Sequence, residues 1–406
     1  VEVDAVGRQL RVLREKEPQP GRNLVLTVDT NIQAAAERAV ARGIRAARRE
    51  GNYGSRAGAA VVMDVRNGEV LALASVPTFD PRQFIGGISE KEWKKLNAAN
   101  LHPLSNRATN GLYPPGSTFK VVTGIAALET GLASMGSNFY CSGSWNKLGD
   151  RWSKACWNKS GHRGVTLAQG LVVSCDSVFY DLGLRLHQSG GSFQDWARRF
   201  GLGKKTGIDL PAEAVGRVPD AEWKKNWNRN RPKIEQRWYG GDTVNMAIGQ
   251  GDMLTTPLQM ASVYASIANG GQVVRPHLLK EVLTAKGNLE KTVEPELKSL
   301  GVPADKVLAV QDSLRNVVRV GTARDAFAGF PVATSGKTGT AEVKGKGDFA
   351  WFVGYAPSEN PKYAVSVVIE EGGHGGAIAA PVVRNILDAI FSTSSPAPED
   401  INDKSR

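Results

Sequence analysis

The sequence predicts a mixed α/β protein in which strand-forming segments near both ends of the chain bracket a helical middle. Strand-like runs fall at residues 24–28, 59–64 and 70–75, and return after residue 337. The stretch between them holds longer segments whose apolar residues recur every three or four positions. At 406 residues and 41% hydrophobic content the chain buries a large core, and its 45 glycines and 20 prolines sit between periodic segments as turn punctuation.

Residues 1–20 are polar and charged and close on Pro18-Gln19-Pro20-Gly21, which reads as a linker or remnant of an upstream module. The main unit is expected over 21–391. Residues 24–28 read as its first strand, and Asp29 and Thr30 cap a helix through about Ile44. The runs 59–64 and 70–75 form a hairpin around Arg66-Asn67-Gly68, so strand, helix and hairpin open an α/β sheet. Residues 117–129 carry Phe119, Val122, Ile125, Ala126 and Leu128 on a face broad enough for a buried helix, which stops at Gly131. Further helices are expected at 167–173, 178–186, 257–268 and 303–318. Strands follow near 337–343, 350–354 and 364–369, then a helix near 382–391. The last residues, 392–406, hold almost nothing apolar and are expected to be disordered.

The net charge of +11 comes from basic residues interspersed with acidic ones, as in "EKEWKK", and no nucleic-acid motif accompanies it, so no nucleic-acid partner is expected. A basic surface equally suits anionic lipid head groups or a pyrophosphate-bearing substrate. No apolar run approaches the roughly 18–20 residues of a spanning helix. The chain begins at Val1 and reads as a trimmed fragment, so that absence says nothing about an anchor elsewhere.

Ser117-Thr118-Phe119-Lys120 opens the buried helix. At a helix start, unpaired backbone N–H groups and the dipole favour negative charge, which suits a developing alkoxide. Lys120, three residues on, lies on the same face, and a desolvated amine there can take the serine proton. The motif alone does not decide, because Ser144-Trp145-Asn146-Lys147 matches it in a loop, and Ser117 could simply cap its helix. Two more segments do: Ser174-Cys175-Asp176 between predicted helices, and Lys337-Thr338-Gly339-Thr340 on a predicted strand. S-x-x-K, S-x-[ND] and K-T-G in this order form the set of penicillin-binding proteins and serine β-lactamases.

The flanking segments "LTVDTNIQ", "AAVVMDVRNGEVLALAS", "YPPGSTFK", "FGLGKKTGIDLP", "AIGQGDMLTTPLQM" and "SGKTGTAE" resemble class B penicillin-binding proteins over roughly residues 1–391, and within them the elongation-specific branch of Gram-negative bacteria. The resemblance implies a five-stranded antiparallel sheet flanked by helices, a helical lobe, and a site in the cleft between them. It implies that Ser117 attacks the D-alanyl-D-alanine carbonyl of a donor stem peptide, and that an amine of a neighbouring stem resolves the acyl-enzyme. Lys120 would be the base and Ser174 a proton relay. The N–H groups of Ser117 and Thr340 would bind the oxyanion, and Lys337, Thr338 and Thr340 the terminal carboxylate, with Gly339 between them. Asp176 fits that branch, yet a carboxylate near Lys120 favours the ammonium over the free amine a base needs. The resemblance further implies β-lactam inhibition, a membrane glycosyltransferase and a scaffold protein as partners, and a periplasmic domain of a protein anchored in the inner membrane.

The 3 cysteines, Cys141, Cys156 and Cys175, and His162 fall in one stretch, 141–175. Three thiols and an imidazole make a complete tetrahedral set for structural zinc, and an odd cysteine count argues against a simple disulfide framework. One disulfide plus a buried thiol is the alternative. The resemblance favours zinc, because Gram-negative members carry such a site here. No organic cofactor is expected. Trp145, Trp152 and Trp157 are expected to pack a small subdomain around the thiols. His102, His187, His277 and His374 share no ligand spacing, and "GGHGGA" reads as a loop near the rim of the site.

A serine β-lactamase shares all three motifs but hydrolyses its acyl-enzyme and is far shorter. A D,D-carboxypeptidase differs in using water as acceptor. A non-catalytic β-lactam sensor is opposed by the joint retention of Ser117, Lys120, Ser174 and Lys337.

Overall fold

The computed structural model describes residues 1–14 and 17–393, and within them the chain divides into two compact units. The smaller joins Val1–Thr27 to Leu279–Glu294. It holds a pairing of Glu2–Val3 with Gln9–Arg11, and a three-stranded antiparallel sheet in which Leu279–Leu283 lies between Asn23–Leu26 and Leu289–Thr292. The first predicted strand therefore belongs to this unit and not to the main sheet, and the boundary expected at residue 20 falls inside it. Its partner lies far along the chain, where local pattern carries no information.

The larger unit is built on a five-stranded antiparallel sheet. Its strands are β1 (Gly58–Asp64), β2 (Val70–Val76), β3 (Ser335–Ala341), β4 (Phe349–Ala356) and β5 (Tyr363–Ile369), in the order β3-β4-β5-β1-β2. Alternation divides the faces. Trp351, Val353 and Tyr355 enter the core shared with the helical lobe, whereas Ala350 and Phe352 pack with the helices α1 (Thr30–Arg49) and α8 (Ala379–Thr393). Asp29 caps α1 by accepting from the N–H groups of Asn31 and Ile32. The helix runs past Ile44 because its alanines keep a buried face against the sheet. The expected tail loses its first two residues to α8, and from residue 394 it lies outside the described residues.

Helices of the lobe are α2 (Lys120–Glu129), α3 (Leu167–Val172), α4 (Asp176–Gln188), α5 (Gly240–Ala247), α6 (Pro257–Ala268) and α7 (Ala304–Arg319). In α2 every residue from Lys120 to Leu128 is buried, as its all-round apolar sequence requires. It does not begin at Ser117. Gly116–Phe119 forms a 3-10 turn first, because Pro114, Pro115 and a left-handed Gly116 (φ 54°) set the chain direction. α6 has its expected bounds, fixed by Pro257 in the first turn and by a capping box between Thr256 and Gln259.

The two sheet edges differ. Along β2, Leu71 O accepts from Asp29 N–H (3.0 Å), and the Gln33 amide pairs with both backbone groups of Leu73, at 2.8 and 3.3 Å. The edge of β3 borders the Ser117 turn instead.

Candidate active site

Ser117 sits on the 3-10 turn, partly exposed, with Thr118 and Phe119 buried beside it. Several bonds hold that turn. Gly116 N–H donates to Gly249 O (3.0 Å), Tyr264 OH to Thr118 O (2.9 Å), and Trp351 Nε1 to Pro114 O (3.0 Å). A Cβ on Gly249 would lie 2.2 Å from Gly116 O, and one on Gly116 2.7 Å from Thr340 O. The turn is thus clamped between β3 and the loop after α5 with no room for side chains. Just upstream, Glu370 Oε1 accepts from Tyr113 OH (2.8 Å) and Arg107 Nε (2.9 Å), and Arg107 also donates to Leu101 O. This buried network ties the segment entering the turn to the end of β5. Burial, reinforced by Glu370, pushes the Tyr113 phenol well above its ordinary range, so it stays a donor.

Lys120 is fully buried on the first turn of α2, and three groups surround its Nζ: Ser174 O at 2.9 Å, Ser174 Oγ at 3.3 Å and Asp176 Oδ1 at 2.7 Å. The Phe179 ring lies 5.2 Å away. Ser174 reaches this position because it adopts a left-handed conformation (φ 56°) in the break between α3 and α4. The other oxygen of Asp176 accepts from Trp157 N–H (2.9 Å), so one carboxylate links Lys120 to the backbone beside Cys156. Asp176 is therefore not drawn away from Lys120: one oxygen pairs with the amine directly, which favours the ammonium form, while the other is held by Trp157.

Lys337, from β3, is fully buried and donates to Thr338 O (3.1 Å). Burial pushes its ammonium well below the ordinary lysine range. Lys120 adds in the same direction and Asp176 opposes both. Thr338 Oγ1 lies 2.6 Å from Thr322 Oγ1, and Thr340 Oγ1 accepts from Gly375 N–H at 3.4 Å, which puts the "GGHGGA" loop on this strand as expected. A Cβ on Gly339 would meet Thr118 Cγ2 at 2.9 Å. The five expected catalytic residues and the K-T-G-T strand are therefore brought together around the turn that carries Ser117.

Cys141, Cys156, His162 and Cys175 also converge, their ligand atoms all within 4.8 Å of one another and their thiols unpaired. His162 Nδ1 faces Cys141 Sγ at 3.7 Å and Cys156 Sγ at 3.5 Å, bracketing the roughly 3.6 Å N···S edge of a zinc tetrahedron. The opposite nitrogen, Nε2, is buried without a partner among the described residues. A hydrogen bond shared with Cys175 pushes the Cys156 thiol down to about 5, while that bond and burial hold Cys175 well above its usual range. Three buried cysteine sulfurs and an imidazole nitrogen this close together fit a divalent cation. Of the three tryptophans expected to pack around the thiols, Trp145 is buried, but in a separate cluster with Tyr180 and Val244. Trp152 and Trp157 are exposed, although the Trp157 indole donates to Val173 O (3.1 Å) and its ring meets His162 edge-on at 5.4 Å.

Sequence reasoning missed Thr322, the Arg107–Tyr113–Glu370 network and the backbone N–H of Trp157. Only Tyr113 carried a signal, as the first letter of "YPPGSTFK".

The model of the penicillin binding protein transpeptidase domain matches residues 58–388. The peptidoglycan D,D-transpeptidase MrdA of Acinetobacter baumannii is 34% identical over 415 residues, covering 98% of this chain and 58% of its own length. The chain thus spans about three fifths of the curated relatives it matches. Among solved structures, one on structural coordination of polymerization and crosslinking by a peptidoglycan synthase complex superposes with TM-score 0.82 at 35% identity, covering 98% of this chain and 68% of that one. The Helicobacter pylori penicillin-binding protein PBP2, in complex with MreC, gives 0.78 at 30% identity, covering 97% of this chain and 68% of that one.

Proposed function

The chain belongs to the penicillin-binding protein transpeptidase family, and from that premise we propose that it cross-links peptidoglycan through an acyl-enzyme on Ser117 during cell elongation. The observation that carries this reading is the buried Lys120 Nζ held against Ser174 behind the partly exposed Ser117. Ser117 Oγ attacks the carbonyl of the penultimate D-alanine as its proton passes toward Lys120. The peptide bond breaks, and Ser174 hands a proton to the departing D-alanine. An amine from a neighbouring stem then attacks the ester, loses its proton by the same route, and releases the serine. Backbone N–H groups of Ser117 and Thr340 stabilise the oxyanion in both halves. Lys337, with the Thr338 and Thr340 hydroxyls, holds the substrate carboxylate, and a donor peptide lies along the β3 edge as an added strand. A β-lactam carries a carboxylate and a strained amide at matching places, and acylates the same serine.

Cys141, Cys156, His162 and Cys175 are proposed to hold a structural zinc. When bound, it would fix the loop whose backbone supports Asp176, and a closed four-ligand shell leaves no position for catalysis. By analogy with the peptidoglycan synthase complex and the MreC complex, a membrane glycosyltransferase and a scaffold protein are the partners. The natural setting is the periplasmic face of the inner membrane.

Intact mass after benzylpenicillin, with zinc measured on the same sample, tests both parts. One stable adduct is expected, absent in Ser117→Ala. Rapid loss of the adduct would indicate a lactamase, and labelling of Ser117→Ala would overturn the assignment. Chelation is expected to unfold the 141–175 segment, read by hydrogen exchange, and to slow acylation. Equal exchange and acylation with and without stoichiometric metal would remove the zinc.

A further inference from the structure

Between the site's helices the chain makes an excursion whose chemistry the transpeptidase reading does not use. Residues 217–239 contain Arg217, the short helix Ala221–Trp227 and the loop "NRNRPKIEQRWY". Trp223 and Trp227 stack on each other, ring centroids 5.7 Å apart and planes 21° apart, and the Arg217 guanidinium lies 4.9 and 5.5 Å from the two rings. Large apolar groups normally avoid such exposure, yet Trp227 is 68% exposed, Ile234 67% and Tyr239 43%. Around them Lys225, Arg229, Arg231, Lys233 and Arg237 are all exposed, with no ion-pair partner among the described residues.

The loop is held in shape. Asn228 Nδ2 donates to Glu235 O (3.0 Å), Gln236 Nε2 to Arg231 O (2.8 Å) and Tyr239 OH to Ile234 O (2.9 Å). Lys224 Nζ and Tyr239 N–H both reach Asp242 Oδ2, at 2.6 and 2.7 Å. From Tyr239 the chain enters α5, whose last residue accepts from the Thr123 hydroxyl of α2 at 2.8 Å. Two residues on, Gly249 O receives Gly116 N–H, next to Ser117. The excursion is thus joined by α5 to the nucleophile turn.

From this geometry we infer that the 217–239 face is a binding platform for the glycan strand that carries the reacting stem peptides. The inference rests on the transpeptidase reading and adds a polymer subsite to it. Exposed indole and phenol rings offer flat apolar faces to sugar rings, and the unpaired cations match the carboxylates that stem peptides bear. An anionic bilayer would also satisfy the cations. The glycan is favoured because this preorganised face is tied to the turn that presents Ser117, where only a polymer with a reactive branch gains from being held.

The test is co-sedimentation of the full chain with purified Gram-negative sacculi, alongside vesicles of phosphatidylglycerol and phosphatidylcholine. Trp227→Ala and the triple variant Arg229→Ala/Arg231→Ala/Lys233→Ala change only exposed side chains. Each is expected to weaken sacculus binding about fivefold or more. The charge variant should also flatten its salt dependence. Thermal melting checks the fold of each variant, and fluorescent penicillin checks the serine. Unchanged sacculus binding by both variants overturns the platform, as does a loss confined to the vesicles. Failure of wild type to label with penicillin would strike the transpeptidase reading instead, so the two failures are distinct.

Discussion

The two outer strands of the main sheet face the same problem and solve it differently. Any sheet edge presents unpaired N–H and C=O groups that recruit another strand. On β2 the problem is closed internally, with Asp29 and the Gln33 amide standing in for a sixth strand. On β3, among the described residues, no main-chain group outside the sheet pairs with the strand's own N–H or C=O groups, and the Gly375 N–H reaches only the Thr340 hydroxyl. Instead that edge carries Lys337 and runs past Ser117. One edge is finished by the fold, and the other is left open beside Ser117, where the proposed donor peptide would add as a strand.

Substitutions should separate the two edges. The largest effect belongs to the floor of the cleft beside β3: Lys120→Ala is expected to slow acylation by benzylpenicillin roughly 10²–10⁴-fold. Lys337→Ala comes next, lowering acylation about tenfold to a hundredfold by loss of a charge-assisted contact, while the melting temperature holds or rises because a buried charge is gone. Its pH dependence has a definite sign. The native pKa of Lys337 lies below its ordinary value of 10.5, so the stability tied to this group is full above that value and is lost as pH falls through the lowered one. Carboxylate binding needs the ammonium. Acylation by benzylpenicillin should therefore weaken as pH rises through the lowered pKa, and acylation by its neutral ester should not. Parallel profiles for acid and ester would exclude Lys337 as the carboxylate partner.

On the closed edge the pattern reverses. Gln33→Ala is expected to cost about 1–2 kcal/mol in chemical denaturation, with acylation unchanged, since two hydrogen bonds to Leu73 are lost far from Ser117. The smallest effect is expected for Tyr113→Phe. It removes one hydrogen bond to Glu370 behind the turn and should lower the acylation rate a few-fold while leaving penicillin's apparent affinity unchanged. A matched loss of affinity would show that Tyr113 acts on ligand binding and not on presentation of the serine.

What could be read from the sequence was what neighbours in the chain determine. The α6 span was read from its apolar run between Gly-rich connections, and the β1–β2 hairpin from the Asn67-Gly68 turn. Ser117, Lys120, Ser174 and Lys337 were legible because each lies in a short motif with fixed internal spacing. The start of α2 was displaced by a 3-10 turn that apolar periodicity does not register. Contacts across long separations stayed hidden: Glu370 with Arg107, Asn23–Leu26 with Leu279–Leu283, Thr322 with Thr338. Nothing was read from 217–239 in the sequence, because the stacking of Trp223 on Trp227 appears only once the helix is wound.

Escape from a covalent inhibitor is generally sought among the residues that touch it. In this cleft the carboxylate of Asp176 has one oxygen on Lys120 and the other on the amide of Trp157, immediately after Cys156. The thiol loop is therefore coupled through Asp176 to the proposed base. Because drug and natural donor would both depend on Lys120 in that setting, a change that loosens the loop penalises the two together. Substitutions at the thiols are therefore expected to lower acylation by drug and by natural donor alike.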